Sequence, residues 1–237
     1  IRERFATWVA QNVAAAAPDM TSIVAAVLVE VWSDVVCPWC YIGKRRFETA
    51  LAQFDGADDV QIVYRPFQLD PTAPAGTTQP VAEVYAKKFG GEERAQQLMG
   101  HVTSVAAEAG IEFHLDRAKR ANTIDAHRLL WFAESSGAQS ALKERLMQAY
   151  FTDGENVADR DTLVRLAGAV GLEEVSVREF LESDEGLGEV REAIARAASM
   201  GITAVPTYVV DGRWSIPGAQ EPETFLAVLE KLQDADE

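Results

Sequence analysis

The sequence predicts an α/β fold, with a βαβ unit near its start, a ββα unit at its end and a large all-helical insertion between the two halves. Three observations predict it. Strand-type runs are confined to residues 26–32, 60–67 and 205–216. Apolar residues recur at helical spacing through roughly residues 80–200. An Asp211-Gly212 pair, a strong short-hairpin signal, divides the last strand-type run in two. The expected division is an extension at 1–25, a split α/β domain at 26–80 plus 201–237, and a helical subdomain at 81–200.

Residues 1–19 carry Ile1, Phe5, Trp8, Val9 and Val13 on one helical stripe before Pro18. Gln11 and Asn12 interrupt the apolar run that a secretory signal needs. Met20 is a candidate natural start, which makes 1–19 an addition to the natural chain. The alternative is a helix whose Phe5/Trp8 face docks on this subunit or on a second copy, giving a homodimer.

The apolar run at 26–32 alternates as a strand does and ends at Ser33-Asp34-Val35-Val36-Cys37-Pro38-Trp39-Cys40-Tyr41. Ile42, Phe47, Leu51 and Phe54 then fall near helical spacing, so both cysteines of the chain sit where a strand hands over to a helix. The free N–H groups and positive dipole end of a first helical turn favour a thiolate, the reactive species. Pro38 suits that turn, because its ring sets φ and its missing N–H has no partner to lose there. Two bland alternatives stand beside redox chemistry. Zinc needs four ligands, or three and a water, and His101, His114 and His127 show no ligand spacing to one another. Two inert buried thiols are the other, since cysteine is among the most buried residue types.

Residues 60–67 supply a second strand, parallel to the first by the usual crossover rule. Pro71, Pro74, Gly76 and Pro80 mark a loop that leads into the insertion. There Leu98, Val102, Val105 and Ala109 make one stripe, and Ala126, Leu129, Leu130 and Ala133 another. Leu142, Leu146 and Tyr150, then Leu163, Leu166 and Val170, continue it, punctuated by Gly110, Gly137, Gly154 and Gly171. Helix is expected throughout, with scaffolding as its role. Residues 205–210 and 213–216 then pair across Asp211-Gly212, Gly218 breaks the chain, and 221–234 closes it as a helix.

The 237 residues are 48% hydrophobic, enough for a sizeable core without staples. A net charge of −15 argues against nucleic acid or an anionic membrane as partner. No apolar run approaches the roughly 20 residues of a membrane span. Two cysteines at redox spacing, with none left for structural bridges, suit a reducing compartment, so the expected localisation is cytoplasmic.

Four separated motifs, in order, carry a resemblance over about residue 26 to the C-terminus. They are Glu30-Val31-Trp32-Ser33-Asp34-Val35-Val36-Cys37-Pro38-Trp39-Cys40-Tyr41-Ile42-Gly43-Lys44-Arg45-Arg46, Arg65-Pro66-Phe67-Gln68-Leu69-Asp70-Pro71, Asn122-Thr123-Ile124-Asp125-Ala126-His127-Arg128-Leu129, and Gly201-Ile202-Thr203-Ala204-Val205-Pro206-Thr207. The chain resembles the FrnE-like branch of the DsbA-type thiol–disulfide oxidoreductases, which implies a thioredoxin fold with a helical insertion. The resemblance implies that Cys37 is the solvent-facing nucleophile and Cys40 the more buried resolving thiol. It makes Val205 and Pro206 the cis-proline pair beside the dithiol, where Val205 offers its backbone to a bound peptide. An ordinary trans proline opening a strand is the alternative. Pro38 and Trp39 complete the expected substrate contacts.

Trp39 lacks the charge-assisted hydrogen bond that a histidine there supplies. The couple is therefore expected below about −150 mV, nearer the thioredoxin value of about −270 mV than the DsbA value of about −120 mV. Glu30 is the candidate proton acceptor under Cys40, against an exposed strand glutamate. Lys44, Arg45 and Arg46 either add positive potential or form a solvated helix face. His127 either lines the cleft or is a hydrogen-bonded structural residue, and His101 and His114 are expected on the surface. No metal or cofactor is expected. The expected partners are a disulfide-containing protein or small molecule and a recycling thiol, glutathione or a thioredoxin system.

Two rivals remain. Kappa-type glutathione-dependent transferases and isomerases look similar in the insertion and the Asn-Thr motif, but usually carry serine at the position of Cys37 and lack the second cysteine. A non-catalytic, chaperone-like peptide-binding module is the other.

Overall fold

The computed structural model describes residues 27–76 and 79–236. The expected N-terminal helix and its docking face lie outside the described residues. Strand β1 (Val27–Ser33) is followed by helix α1 (Pro38–Leu51), a 3-10 turn (Ala57–Asp59) and strand β2 (Val60–Pro66). The insertion then runs through α2 (Val81–Phe89), α3 (Glu92–Glu108), α4 (Ile124–Glu134), α5 (Gln139–Gln148), α6 (Arg160–Gly168), α7 (Glu174–Glu182) and α8 (Leu187–Ser199). Strands β3 (Thr207–Val210) and β4 (Trp214–Pro217) and helix α9 (Pro222–Asp236) close the chain.

The sheet order is β2-β1-β3-β4, with β1 parallel to β2 and antiparallel to β3. Successive strand side chains point to opposite faces, so β1 serves two cores at once. Val29 and Val31 face α1 and α9, where Phe47, Ala50, Tyr208, Phe225 and Leu229 fill one layer. Trp32 faces the other way, onto Ala197 of α8, Ile202 and Val209. Asp211 takes positive φ at the tip of the β3–β4 hairpin, as the Asp-Gly signal requires, and its carboxylate accepts from Leu28 N–H at 2.8 Å.

The insertion has its own core, with Leu129, Leu142, Leu146, Met147, Phe151, Leu163 and Leu166 fully buried. That core is continuous with Cys37, Cys40, Tyr41 and Ile42 of α1, so the insertion packs directly on the dithiol. Asp159 caps α6 by accepting from Thr162 N–H, and Glu173 caps α7 by accepting from Val175 and Ser176 N–H. Arg128 is buried on α4. It donates to the carbonyls of Phe180, Ser183 and Glu185, pairs with Asp125 and lies over the Phe180 ring. One side chain thereby ties the α7–α8 junction to α4.

Helix does not run throughout 80–200. After Gly110 at φ +73, residues 111–123 leave the helix. Ile111, Phe113 and Leu115 are buried while Glu112 is exposed and His114 half-buried, the period-2 alternation of an extended segment. His114 N–H donates to Phe151 O at 2.7 Å, Thr152 Oγ1 donates to Glu112 O, and Lys119 bridges to Pro80. Helix α5 also ends differently from a plain turn, widening into a π-helical segment (Ala149–Asp153) before Gly154.

Candidate active site

Cys37 is the N-cap of α1, with extended φ and ψ, and Pro38 stands at the first helical position. Cys40 lies one turn on, its N–H bonded to Cys37 O at 3.1 Å. Both cysteines are free thiols. Cys40 S–H donates to the Cys37 sulfur. Burial first, then that hydrogen bond and the negative charge of Cys37, push the Cys40 thiol well above its usual range. Lys143 and a backbone hydrogen bond at Asp34 pull it back.

The Val205–Pro206 peptide is cis. Cys37 Sγ donates to Val205 O at 3.7 Å, so the proline loop lies directly on the first sulfur. Gly43 makes that approach possible. A Cβ there would stand 2.8 Å from Tyr208 Oη, 3.0 Å from Pro206 and 3.3 Å from Ala219, so any larger residue pushes α1 off the loop. The same closeness corrects one expectation. Cys37 is only 3% exposed against 2% for Cys40, so neither sulfur faces solvent freely, because the loop and the insertion both cover the cap. Trp39 is the exposed residue of the motif, at 39%, with its ring 6.3 Å from that of His101.

Glu30 is not an exposed strand glutamate. It is buried on the face of β1 opposite α1, paired with Arg65 at 2.7 Å and with Arg196 of α8 at 3.3 Å. The carboxylate nearer the dithiol is Asp34, fully buried in the β1–α1 turn. Its two oxygens accept from His127 Nε2 at 3.2 Å and from Leu69 N–H at 2.8 Å. His127 Nε2 also lies 3.0 Å from Phe67 O, a group that only accepts, so this nitrogen carries the hydrogen. His127 is the hydrogen-bonded structural residue. It joins α4 to the dithiol turn and to the end of β2.

Lys44, Arg45 and Arg46 form no solvated face. Lys44 is buried and pairs with Glu48 and, at 2.6 Å, with Glu144 of α5. Arg45 and Tyr41 also bond Glu144. Arg46 donates to Ala219 O and pairs with Glu221. Burial opposes the Glu144 charge, but Lys44, Tyr41 and Arg45 outweigh it and hold the carboxyl below its usual range. Tyr41 is pushed up, by burial first and then by its bond to Glu144. His101 is exposed and His114 half-buried beside Glu112.

Sequence reasoning missed Lys143 of α5. It is 1% exposed, its Nζ has no hydrogen-bond partner among the described residues, and it lies over the Tyr64 ring. A lysine at this point in a helical pattern reads as surface, and only packing shows otherwise. Beside the cysteines a cavity of about 240 Å³ is lined by Val36, Leu69, Val81, Tyr85, Lys88 and Tyr150. Tyr85 is pushed up to about 12, by burial first and then by the negative charge of Cys37.

A dithiol at the start of the first helix of a mixed sheet, under a cis-proline loop and a helical cover, is the arrangement of a thioredoxin-fold protein with a helical insertion. The chain belongs to the DSBA-like thioredoxin domain family, whose model matches residues 28–230. It is 31% identical over 207 residues to the uncharacterized protein YwbO of Bacillus subtilis (strain 168), covering 86% of this chain and 96% of that one. The crystal structure of a probable DsbA oxidoreductase, SCO1869 from Streptomyces coelicolor, is 38% identical with a TM-score of 0.82, covering 86% and 89% of the two chains. Cytosolic disulfide reductase DsbM from Pseudomonas aeruginosa, solved with GSH, shares the fold at 20% identity and TM-score 0.63, covering 87% and 99%.

Proposed function

We propose that this protein is a thiol–disulfide oxidoreductase that exchanges the Cys37–Cys40 pair with a protein or small-molecule disulfide. The observation that carries the reading is one arrangement: Cys37 caps α1, receives a hydrogen bond from Cys40 and touches Val205 O. The family and the likeness to a probable DsbA oxidoreductase support it.

In the reducing direction the Cys37 thiolate attacks one substrate sulfur, and the other leaves as a thiolate that takes up a proton. Cys40 then attacks Cys37 of the mixed disulfide, closing the Cys37–Cys40 bond and releasing the second substrate thiol. Two electrons pass from the dithiol to the substrate. In the other direction an oxidised enzyme runs the same steps backwards. Pro38, Trp39, Val205 and Pro206 hold the substrate strand, and the cavity beside Val36 and Tyr85 is its way to Cys37. Glutathione or a thioredoxin system recycles the pair, in a cytoplasmic setting that the absence of any structural cysteine favours.

Cys40→Ser tests this directly. It is expected to accumulate mixed disulfides on Cys37, read by mass after acid quench, while Cys37→Ser accumulates none and loses turnover by at least ~10³-fold. A single stable glutathione adduct on wild-type Cys37, with no Cys37–Cys40 bond forming, would favour a transferase instead. Peptide binding unchanged in both variants, with no adducts, would favour a binding module.

A further inference from the structure

The side chains of Arg120, Asn122 and His127 converge on one loop, residues 67–73, between β2 and α2. We propose that this loop is the specificity wall of the dithiol: Leu69, Tyr85 and Tyr150 receive a large apolar side chain next to the cysteine of a peptide disulfide, and Lys88 receives an acidic residue beside it. The proposal rests on the oxidoreductase reading above and names the substrate class of that same site.

The loop is held at four points. Phe67 O accepts from His127 Nε2 at 3.0 Å, and Leu69 N–H donates to Asp34 at 2.8 Å. Asp70 pairs with Arg120 at 2.6 Å, and Asn122 Nδ2 donates to Ala73 O at 2.8 Å. Asn122 Oδ1 accepts from Ile124 N–H at 3.1 Å, so this side chain also ties the loop to the start of α4. Asp34 and His127 are buried, which shields two of the four ties from water. Leu69 is 44% exposed, yet the backbone that carries it is fixed. Docking against it orders only side chains, which lowers the entropy cost of binding.

The cavity that Leu69 lines measures about 240 Å³, and Val36, Tyr85 and Tyr150 line it too. Val36 is the residue before Cys37, and Tyr150 belongs to the same buried cluster as both cysteines. An apolar cavity of about 150 Å³ already accepts a benzene ring, so an aromatic or leucine side chain fits here. Glutathione has no apolar side chain to fill it. Two cations also line the cavity, in a chain of net charge −15. Arg120 is matched by Asp70, whereas Lys88 makes no ion pair among the described residues and its Nζ lies 5.6 Å over the Phe89 ring. Phe89 is 41% exposed and stands edge-on to Tyr85, so apolar surface continues from the cavity to the outside. An apolar pocket with an unmatched cation complements an apolar residue next to an acidic one.

The test uses short blocked peptides whose single cysteine is joined to 5-thio-2-nitrobenzoate, and follows the coloured thiol released by the reduced full chain. Cys37 attacks the peptide sulfur and the coloured thiolate leaves. Cys40 then frees the peptide thiol, so two electrons pass from the dithiol to the substrate disulfide. The residue beside the cysteine is Phe or Ala and the next is Glu or Lys, in one series before the cysteine and in another after it. In one of the two series, wild-type protein is expected to prefer Phe to Ala by about 10-fold or more in kcat/KM, chiefly through KM. At low salt it is expected to prefer Glu to Lys by about 3-fold. Leu69→Ser, at an exposed position, is expected to bring the Phe/Ala ratio below about 2, and Lys88→Glu to reverse the Glu/Lys order. Both variants are checked for native far-UV circular dichroism. A wild-type Phe/Ala ratio near 1 in both series, or an unchanged ratio in Leu69→Ser, overturns the proposal. So does the absence of any Glu/Lys preference, or a glutathione–thionitrobenzoate disulfide that outpaces every peptide. Wild-type protein that releases coloured thiol from no substrate overturns the oxidoreductase reading itself, a separate outcome.

Discussion

Between the sheet and the α1–α9 layer lies a region built from facing aromatic and branched side chains; where α1 meets the insertion, charged side chains are buried instead. Phe47, Tyr208 and Phe225 meet ring to ring, with centroids 4.7 to 5.2 Å apart, and no ion pair joins them. Across α1, by contrast, Lys44, Lys143, Asp34 and His127 are buried, and Glu144 is partly so. The first region sets where the dithiol sits. The second sets which protonation states it and its neighbours adopt.

The contrast breaks most visibly at Phe225. The side chain is fully buried, and Phe225→Ala is expected to cost about 3–5 kcal/mol in chemical denaturation. A cost below about 1 kcal/mol would show that α9 is not the closing layer of the sheet half.

Lys143→Met is expected to act in the opposite direction. Burial lowers this lysine from 10.5 to about 8, so below pH 8 the folded protein carries an ammonium that it holds less well than the unfolded chain does. At about 1.4 kcal/mol per pKa unit, that costs about 3 kcal/mol at pH 7. Between pH 8 and 10.5 the unfolded chain binds more protons, so the wild-type protein gains stability there as pH rises. The variant should therefore be more stable at pH 7 by up to about 3 kcal/mol, with the advantage fading toward pH 10. Urea midpoints of both proteins are compared at each pH. A variant less stable at pH 7 would mean that the amine has a partner worth more than its burial costs.

Glu144→Gln sharpens the comparison at the junction. It leaves Lys44, 4% exposed, with only Glu48, and is expected to cost about 1–2 kcal/mol because Glu144 itself is part-exposed. The folded-state pKa of Glu144 is depressed, so its contribution is present at neutral pH and is lost as pH falls through that value. The gap between wild type and variant should close in acid. A gap that persists at pH 3 would assign the effect to packing rather than charge.

Much of this molecule was legible before any coordinates. The strands at Val27–Ser33 and Val60–Pro66, the Asp-Gly hairpin and the closing helix follow from period, turn chemistry and Pro38, all of which act over a few residues. The extended segment after Gly110 was legible too, in the alternation of Ile111, Phe113 and Leu115, but the surrounding helical stripes masked it. Both cysteines and the Val205-Pro206 pair stood out because each is a local motif.

The electrostatics of the site were not legible. Glu30 and Asp34 are four residues apart in one motif, yet one is spent on Arg65 and Arg196 across the sheet and the other on His127 and the Leu69 N–H. Lys143 and Lys44, about a hundred residues apart in sequence, look alike as surface lysines, and both are buried. The sequence alone determined the elements, their order and the dithiol at a helix start, because backbone propensity and apolar period are short-range. Only the tertiary structure decided which charges lose their water and which of those find a partner, because desolvation depends on what the rest of the chain brings alongside.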